Sequence, residues 1–248
     1  MGVKFATKTI AVYSVNKKVG KSTVARELAG SYQVGGKKTL LVDLTLGRGG
    51  VLKSMLAPDG RPDLSHWVED IVRRLKKKPW HEITYTPEVV SQYVFTHESG
   101  LSILSCNIID VPEQMMDVTA VILYSLAGCR YDVIVFDLMS AVRDYVIRVL
   151  SSVETVLLVA DTYRYDVKEV QLVMERLEEA NCRTDHFKVV FNKKPDFFDD
   201  SPLQLAEEFK MPMIGSLPDF PGLGEDIKYN FDKENEYSAA MRDLIKKI

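Results

Sequence analysis

The chain has 248 residues, 46% of them hydrophobic, which is ample material for the core of one α/β domain. Its formal net charge is −3 with the cations dispersed, so it lacks the concentrated basic surface on which nonspecific nucleic-acid binding depends. Cys106, Cys129 and Cys182 are far apart and form no C-x-x-C, which argues against a disulfide framework, a zinc site or a thiolate-held iron–sulfur cluster and fits a reducing cytoplasm.

The first predicted element is a strand over Thr9 to Val15, rich in β-branched and aromatic residues. A helix is predicted from near Ser22, with Val24, Leu28 and Tyr32 on one face. Between them runs Val15-Asn16-Lys17-Lys18-Val19-Gly20-Lys21-Ser22-Thr23, the end of a Walker A loop whose opening glycine is replaced by Val15. In such a loop backbone N–H groups and the positive helix end surround phosphates, while Lys and Ser/Thr reach the terminal phosphates and Mg²⁺. Gly35-Gly36-Lys37-Lys38 predicts a turn, and Thr39 to Asp43 a buried strand ending in an acid. Loop is expected at Leu44 to Gly50, a short helix at Val51 to Leu56, and a break at Pro58, Gly60 and Pro62.

Asp63 or Ser65 is placed to cap a helix through Trp67, Ile71 and Leu75. Its polar end, Arg73 to Lys78, is the densest basic cluster; a cationic helix C-terminus stabilised by the dipole explains it more simply than a binding patch. A third strand begins at Leu101, and a helix follows from Glu113 to Ala127. Tyr131 to Asp137 is a continuous apolar run ending in an acid, the form of a buried parallel strand and a Walker B candidate. Further strands are predicted at Thr155 to Ala160, Phe187 to Phe191 and Met213 to Leu217, with helices at Val167 to Ala180 and Leu203 to Phe209. The alternation predicts a single, doubly wound, mostly parallel sheet whose ligands bind along one edge. Met241, Leu244, Ile245 and Ile248 form one helical stripe, open to two readings, a membrane-targeting face or a last helix packed on the sheet. Met115-Met116 and Met211/Met213 are expected to fill core. The sequence shows no signal peptide, no myristoylation site and no apolar run near the ~18 residues of a membrane span, so a soluble protein is expected.

The loop, Asp43, Asp137 and Asn192 all fall on one sheet edge, and together they resemble the MinD/ParA group of deviant Walker A ATPases over nearly the whole chain. The family loop K-G-G-x-G-K-[ST] aligns with Asn16 to Ser22, and its D-x-D-x-x-x-x-N segment with Val42 to Gly49. Asn192 matches its late-strand asparagine, and Gly215-Ser216-Leu217-Pro218-Asp219 its Gly-x-hydrophobic-Pro-Asp segment. Val42-Asp43-Leu44 and His97 to Leu104 look most like the TadZ/CpaE pilus-assembly branch, although the chain begins without the receiver-like domain of the longer CpaE proteins. The resemblance implies ATP and Mg²⁺ as cofactors. Lys21 and Lys17 would serve the reaction; Lys18, Val19, Gly20, Lys21, Ser22 and Thr23 would hold the phosphates. Ser22, Asp43 and Asp137 would surround the ion, Asp43 also counting as catalytic, and Asn192, Pro218 and Asp219 would meet the base.

Four departures from the family pattern bear on turnover. The lysine that crosses a nucleotide-sandwiched dimer aligns with neutral Asn16, with Lys17 one position along. Both following glycines are Lys17 and Lys18, where side chains crowd the backbone approach. The second acid of D-x-D is Thr45, whose hydroxyl cannot accept a proton as a carboxylate does. Asp137-Leu138-Met139 lacks the usual switch proline. The expectation is an atypical ATP-binding protein and slow ATPase that positions a cellular machine through nucleotide-dependent homodimerisation and an unidentified protein partner, cytoplasmic, with membrane or cell-pole contact at most peripheral. The alternative is a pseudo-ATPase adaptor that binds nucleotide without turnover. A small-molecule kinase or amidoligase on this fold would need an acceptor pocket that the sequence does not mark.

Overall fold

The computed structural model describes residues 5–46, 61–105, 110–161, 167–194, 202–220, 223 and 234–248. The short helix expected at Val51 to Leu56, the break at Pro58 and Gly60, the alignment with Arg48 and Gly49, and Cys106 lie outside them.

Eight strands form one sheet: β1 (Lys8–Tyr13), β2 (Thr39–Leu44), β3 (Phe95–Thr96), β4 (Ser102–Leu104), β5 (Val133–Leu138), β6 (Thr155–Asp161), β7 (Phe187–Lys194) and β8 (Met213–Pro218), in the order β3-β4-β2-β5-β1-β6-β7-β8. Every pairing is parallel except that of the edge strand β3 with β4. The helices are α1 (Lys21–Val34), α2 (Leu64–Leu75), α3 (Pro87–Ser91), α4 (Met115–Ala127), α5 (Asp144–Leu150), α6 (Val167–Glu179), α7 (Pro202–Glu208) and α8 (Glu236–Ile245). The fold class matches the expectation of a doubly wound parallel sheet.

The two-residue period of a strand splits the sheet into two cores. Ala11 and Tyr13 of β1, with Val42 of β2 and Phe136 of β5, meet residues of α2, α4 and α5 such as Trp67, Val121 and Val146. Ile10 and Val12, with Leu41 and Val135, meet Val24 and Leu28 of α1 and Met241 and Leu244 of α8. Strands buried on both faces carry no polar alternation, which is why β2 and β5 read as continuous apolar runs.

The connections that follow β1 and β5 diverge: β1 leads through α1 to β2 on one side, and β5 leads through α5 across β1 to β6 on the other. The crevice where such a sheet binds ligands therefore lies between the carboxyl ends of β1 and β5.

Several expectations are sharpened. β1 ends at Tyr13, earlier than the apolar run suggested, because Ser14 Oγ turns back to donate to Asn16 O at 3.0 Å. Asp63 is the α2 cap, accepting from the amides of Ser65 and His66. Arg73 and Arg74 in the last turn of α2 pair with Asp70 at 3.3 and 2.8 Å. The C-terminal stripe faces the sheet: Met241 and Leu244 are buried, and Ile245 and Ile248 pack against the same core. Met115 and Met211 are core residues and Met213 packs on the core, but Met116 is 45% exposed. The sequence reading missed α3, α5 and β3, of five, seven and two residues. Cys129 and Cys182 are free and buried. No described helix is long and apolar enough to cross a membrane.

Candidate functional site

The loop after β1 enters α1 through two left-handed residues. Gly20 has φ +83° and Lys18 φ +66°. At Gly20 glycine is required twice over, because a Cβ there would also collide with Asn192 Nδ2. Gly20 is the N-cap of α1 and no side chain caps this helix, whereas α2 and α8 each have a capping box. The first backbone bond is Val24 N–H to Gly20 O at 2.9 Å. The amides of Lys21, Ser22 and Thr23, which have no intrahelical acceptor, thus open on the crevice with the positive end of the helix. Ser22 and Thr23 are half-buried in this first turn.

Register brings the two acids together. Asp43 of β2 and Asp137 of β5 are cross-strand partners, and Val12 of β1 pairs with Asp137 on its other side. Lys21 Nζ donates to Asp137 Oδ1 at 2.7 Å, both groups buried. Asp43 Oδ1 accepts from Thr45 N at 2.9 Å and from Thr45 Oγ1 at 2.6 Å. Burial, and then the charge of Asp137, push the Asp43 carboxyl up to about 6, while Thr45 and Lys21 pull the other way. Two buried carboxylates thus lie beside the Lys21 ammonium, and the charge of each opposes ionisation of the other. Asp137 Oδ2 is a buried oxygen without a hydrogen-bond donor. An orphaned oxygen in an anionic cluster fits a small hard cation, which takes oxygen ligands.

Asn192, at the end of β7, is in contact with the loop: its Nδ2 donates to Val19 O at 2.9 Å, and its Oδ1 accepts from Tyr237 Oη at 3.1 Å. It is only 3% exposed. Lys193 Nζ donates to Lys18 O at 3.3 Å. Pro218 closes β8 opposite Lys194 and Asp219 is exposed beyond it, on the same edge but two strands from β6. Val19 is buried, while the side chains of Lys17 and Lys18 are exposed. Asn16 Nδ2 donates to Glu169 Oε2 of α6 at 2.7 Å. Lys21, Asp43, Asp137, Gly20, Val19 and Asn192 are thus brought together. Lys17, Pro218 and Asp219 lie at the periphery.

Sequence reasoning missed Ser14, Ser140 and Tyr237. The Ser14 and Ser140 hydroxyls are 2.7 Å apart, and this bond ties the loop to the segment after Asp137. Single serines and one aromatic in an amphipathic helix carry no periodic signal that would have marked them.

The chain superimposes on a ParA family ATPase from Chlorobium tepidum TLS with TM-score 0.74 at 14% identity, covering 98% of this chain and 100% of that one. The fold is that of MinD and ParA. A septum site-determining MinD from Pyrococcus horikoshii OT3, complexed with Mg-ADP, matches at TM-score 0.72 and 18% identity over 97% and 95% of the two chains. A cobyrinic acid a,c-diamide synthase from Mycobacterium smegmatis, with bound ADP and magnesium, matches at 0.71 and 18% over 96% and 92%. No protein-family model and no curated protein matches the sequence.

Proposed function

We propose that this chain is a MinD/ParA-type protein, folded as one domain, that binds ATP with Mg²⁺ between β1 and β5 and uses the bound state to position a cellular assembly. The observation that carries the reading is the convergence of Lys21 and the register-paired Asp43 and Asp137 on an uncapped helix N-terminus. Lys21 would turn from Asp137 to the terminal phosphates, the amides of residues 20–23 would cradle them, and Ser22, Asp43 and Asp137 would hold Mg²⁺. The metal, when bound, offsets charge on the phosphate oxygens. A TadZ-like role in pilus localisation or a role in partitioning, a homodimer formed with nucleotide, and recruitment through a protein partner belong to the same proposal. The neighbours bound to Mg-ADP or to ADP and magnesium support the choice of ligand.

A specific observation favours binding over turnover. Asn16, at the place of the family's crossing lysine, is engaged within the chain by Glu169, and the Thr45 hydroxyl is engaged by Asp43. Neither supplies a charge or a base to an attacking water, so the pseudo-ATPase adaptor is the second reading.

Calorimetry with ATP and Mg²⁺ tests binding: wild type should bind, and Ser22→Ala, a change in the first turn that leaves the packed side of α1 untouched, should lose the Mg²⁺-dependent part of the affinity. Negligible heat for wild type refutes the nucleotide site. Phosphate release then separates the two readings. Turnover at a steady slow rate supports the ATPase, and a gain on combining Asn16→Lys, Lys17→Gly, Lys18→Gly and Thr45→Asp identifies those departures as what limits it.

A further inference from the structure

The C-terminal helix is linked to the loop after β1 by way of Tyr237 and Asn192. Tyr237, in the first turn of α8 and 2% exposed, donates its hydroxyl to Asn192 Oδ1, and the amide of Asn192 is thereby held with its NH₂ toward Val19 O. The next residue, Lys193, takes the carbonyl of Lys18. In a trans peptide the C=O and N–H point in opposite directions. Drawing the carbonyls of Lys18 and Val19 to one side therefore aims the N–H groups of Val19 and Gly20 to the other. The same contact wedges Asn192 against the left-handed Gly20, where only glycine leaves room for it.

The helix that supplies Tyr237 is itself fixed. Asn235 forms a capping box two residues earlier, with bonds of 2.8 and 3.0 Å to Ser238. Met241 and Leu244 are buried, and Leu244 seats against β8 where a side chain on Gly215 would stand 3.0 Å from its Cδ1. Asn192, 3% exposed and spanning Tyr237 and Val19, is built here as a brace between helix and loop.

We propose that Tyr237 is a positioning residue of the loop, acting through Asn192, and that α8 is thereby part of the phosphate site. The inference rests on the nucleotide-binding reading above for its ligand, but the brace itself can be read without one. In Tyr237→Phe the ring and its packing stay and only the hydroxyl goes. Hydrogen exchange of the amides at 18–22 in the ligand-free protein should then speed up, while those of β5 keep their protection. Affinities for ATP and for inorganic tripolyphosphate, both with Mg²⁺, should weaken by the same factor of about five, the size of one neutral hydrogen bond. Asn192→Ala should reproduce the faster exchange and the weaker tripolyphosphate binding, and Tyr237→Phe should add nothing to either in that background. Weakening of ATP alone, with tripolyphosphate unchanged, would place Tyr237 on the base and overturn the inference, as would unchanged exchange at 18–22. Wild type that binds neither ligand would defeat the nucleotide reading and leave the exchange result to decide the brace.

Discussion

Replacing Lys21 by alanine tests how the site is held together before any nucleotide arrives. Its ammonium sits 2.7 Å from Asp137 Oδ1, with the two side chains 9% and 0% exposed. Asp137 Oδ2 has no donor among the described residues, and Asp43 is the cross-strand neighbour. Lys21→Ala therefore removes the cation paired with buried Asp137 beside buried Asp43. Removing one partner of a buried pair costs about 3–5 kcal/mol, a large share of the roughly 5–15 kcal/mol that a protein has in total. A loss of about 4 kcal/mol near neutral pH is expected, read as a lower urea midpoint at unchanged slope. Asp43, raised to about 6, holds its proton more tightly folded than unfolded. Its burial penalty is thus full above that pH and is relieved as the pH falls toward its ordinary value. The relief is bounded at about 3 kcal/mol in wild type and is larger in the variant, which lacks the lysine that favours the charged form. Acid should accordingly narrow the gap between variant and wild type, and adding Asp137→Asn should recover at least half of the neutral-pH loss. A loss below about 1 kcal/mol, or a double variant less stable than the single one, refutes a site cemented by this ion pair. The result also governs how Lys21→Ala is used in binding assays, since missing affinity there counts only for protein shown to be folded.

Three further outcomes follow from the same geometry. Lys18→Gly removes a left-handed lysine at φ +66° whose side chain is exposed, and thermal unfolding should show a gain of about 1 kcal/mol; a loss would mean that the lysine side chain contributes more than its backbone strain costs. Gly20→Ala combines φ +83° with a collision against Asn192 and should destabilise by about 2 kcal/mol or more while abolishing ATP binding, whereas normal affinity by calorimetry would show that the loop is not held as described. Asp43→Asn should flatten the dependence of stability on pH between about 4 and 6, because the carboxyl whose proton is bound more tightly in the folded state is gone; parallel wild-type and variant urea profiles across that window would assign the dependence elsewhere.

Much of this architecture could be read from the chain because parallel strands buried on both faces leave unbroken apolar runs, and the acids that close β2 and β5 mark which ends face the crevice. Asp43 and Asp137 were placed on one edge by that pattern, and the register makes them direct neighbours. What the pattern could not carry was side-chain partnership. Asn192 stood out as an amide suited to a base edge, yet its neighbours Val19 and Tyr237 lie 173 and 45 residues away in sequence. Short elements such as α5, held by Tyr145, Val146, Val149 and Leu150, have one turn or two in which to display a period, too little to distinguish from a loop.

The departures from the family loop acquire a common physical sense once their partners are known. Three of the unusual residues have partners in the chain: Asn16 bonds Glu169 of α6, Thr45 bonds Asp43, and Lys18, through its carbonyl, bonds Lys193. In the homodimer proposed above, a lysine at the position of Asn16 would reach the partner's phosphate, whereas the neutral amide here, 2.7 Å from the Glu169 carboxylate, has no charge to offer. A carboxylate at Thr45 would add a third acid beside Asp43 and Asp137, raising the cost of a ligand-free site in which the charge of Asp137 already pushes the Asp43 carboxyl up. Thr45 instead donates two bonds to Asp43 and lowers that cost. If the chain binds nucleotide as proposed above, stability of the ligand-free loop and capacity for turnover would trade against each other at Asn16 and Thr45.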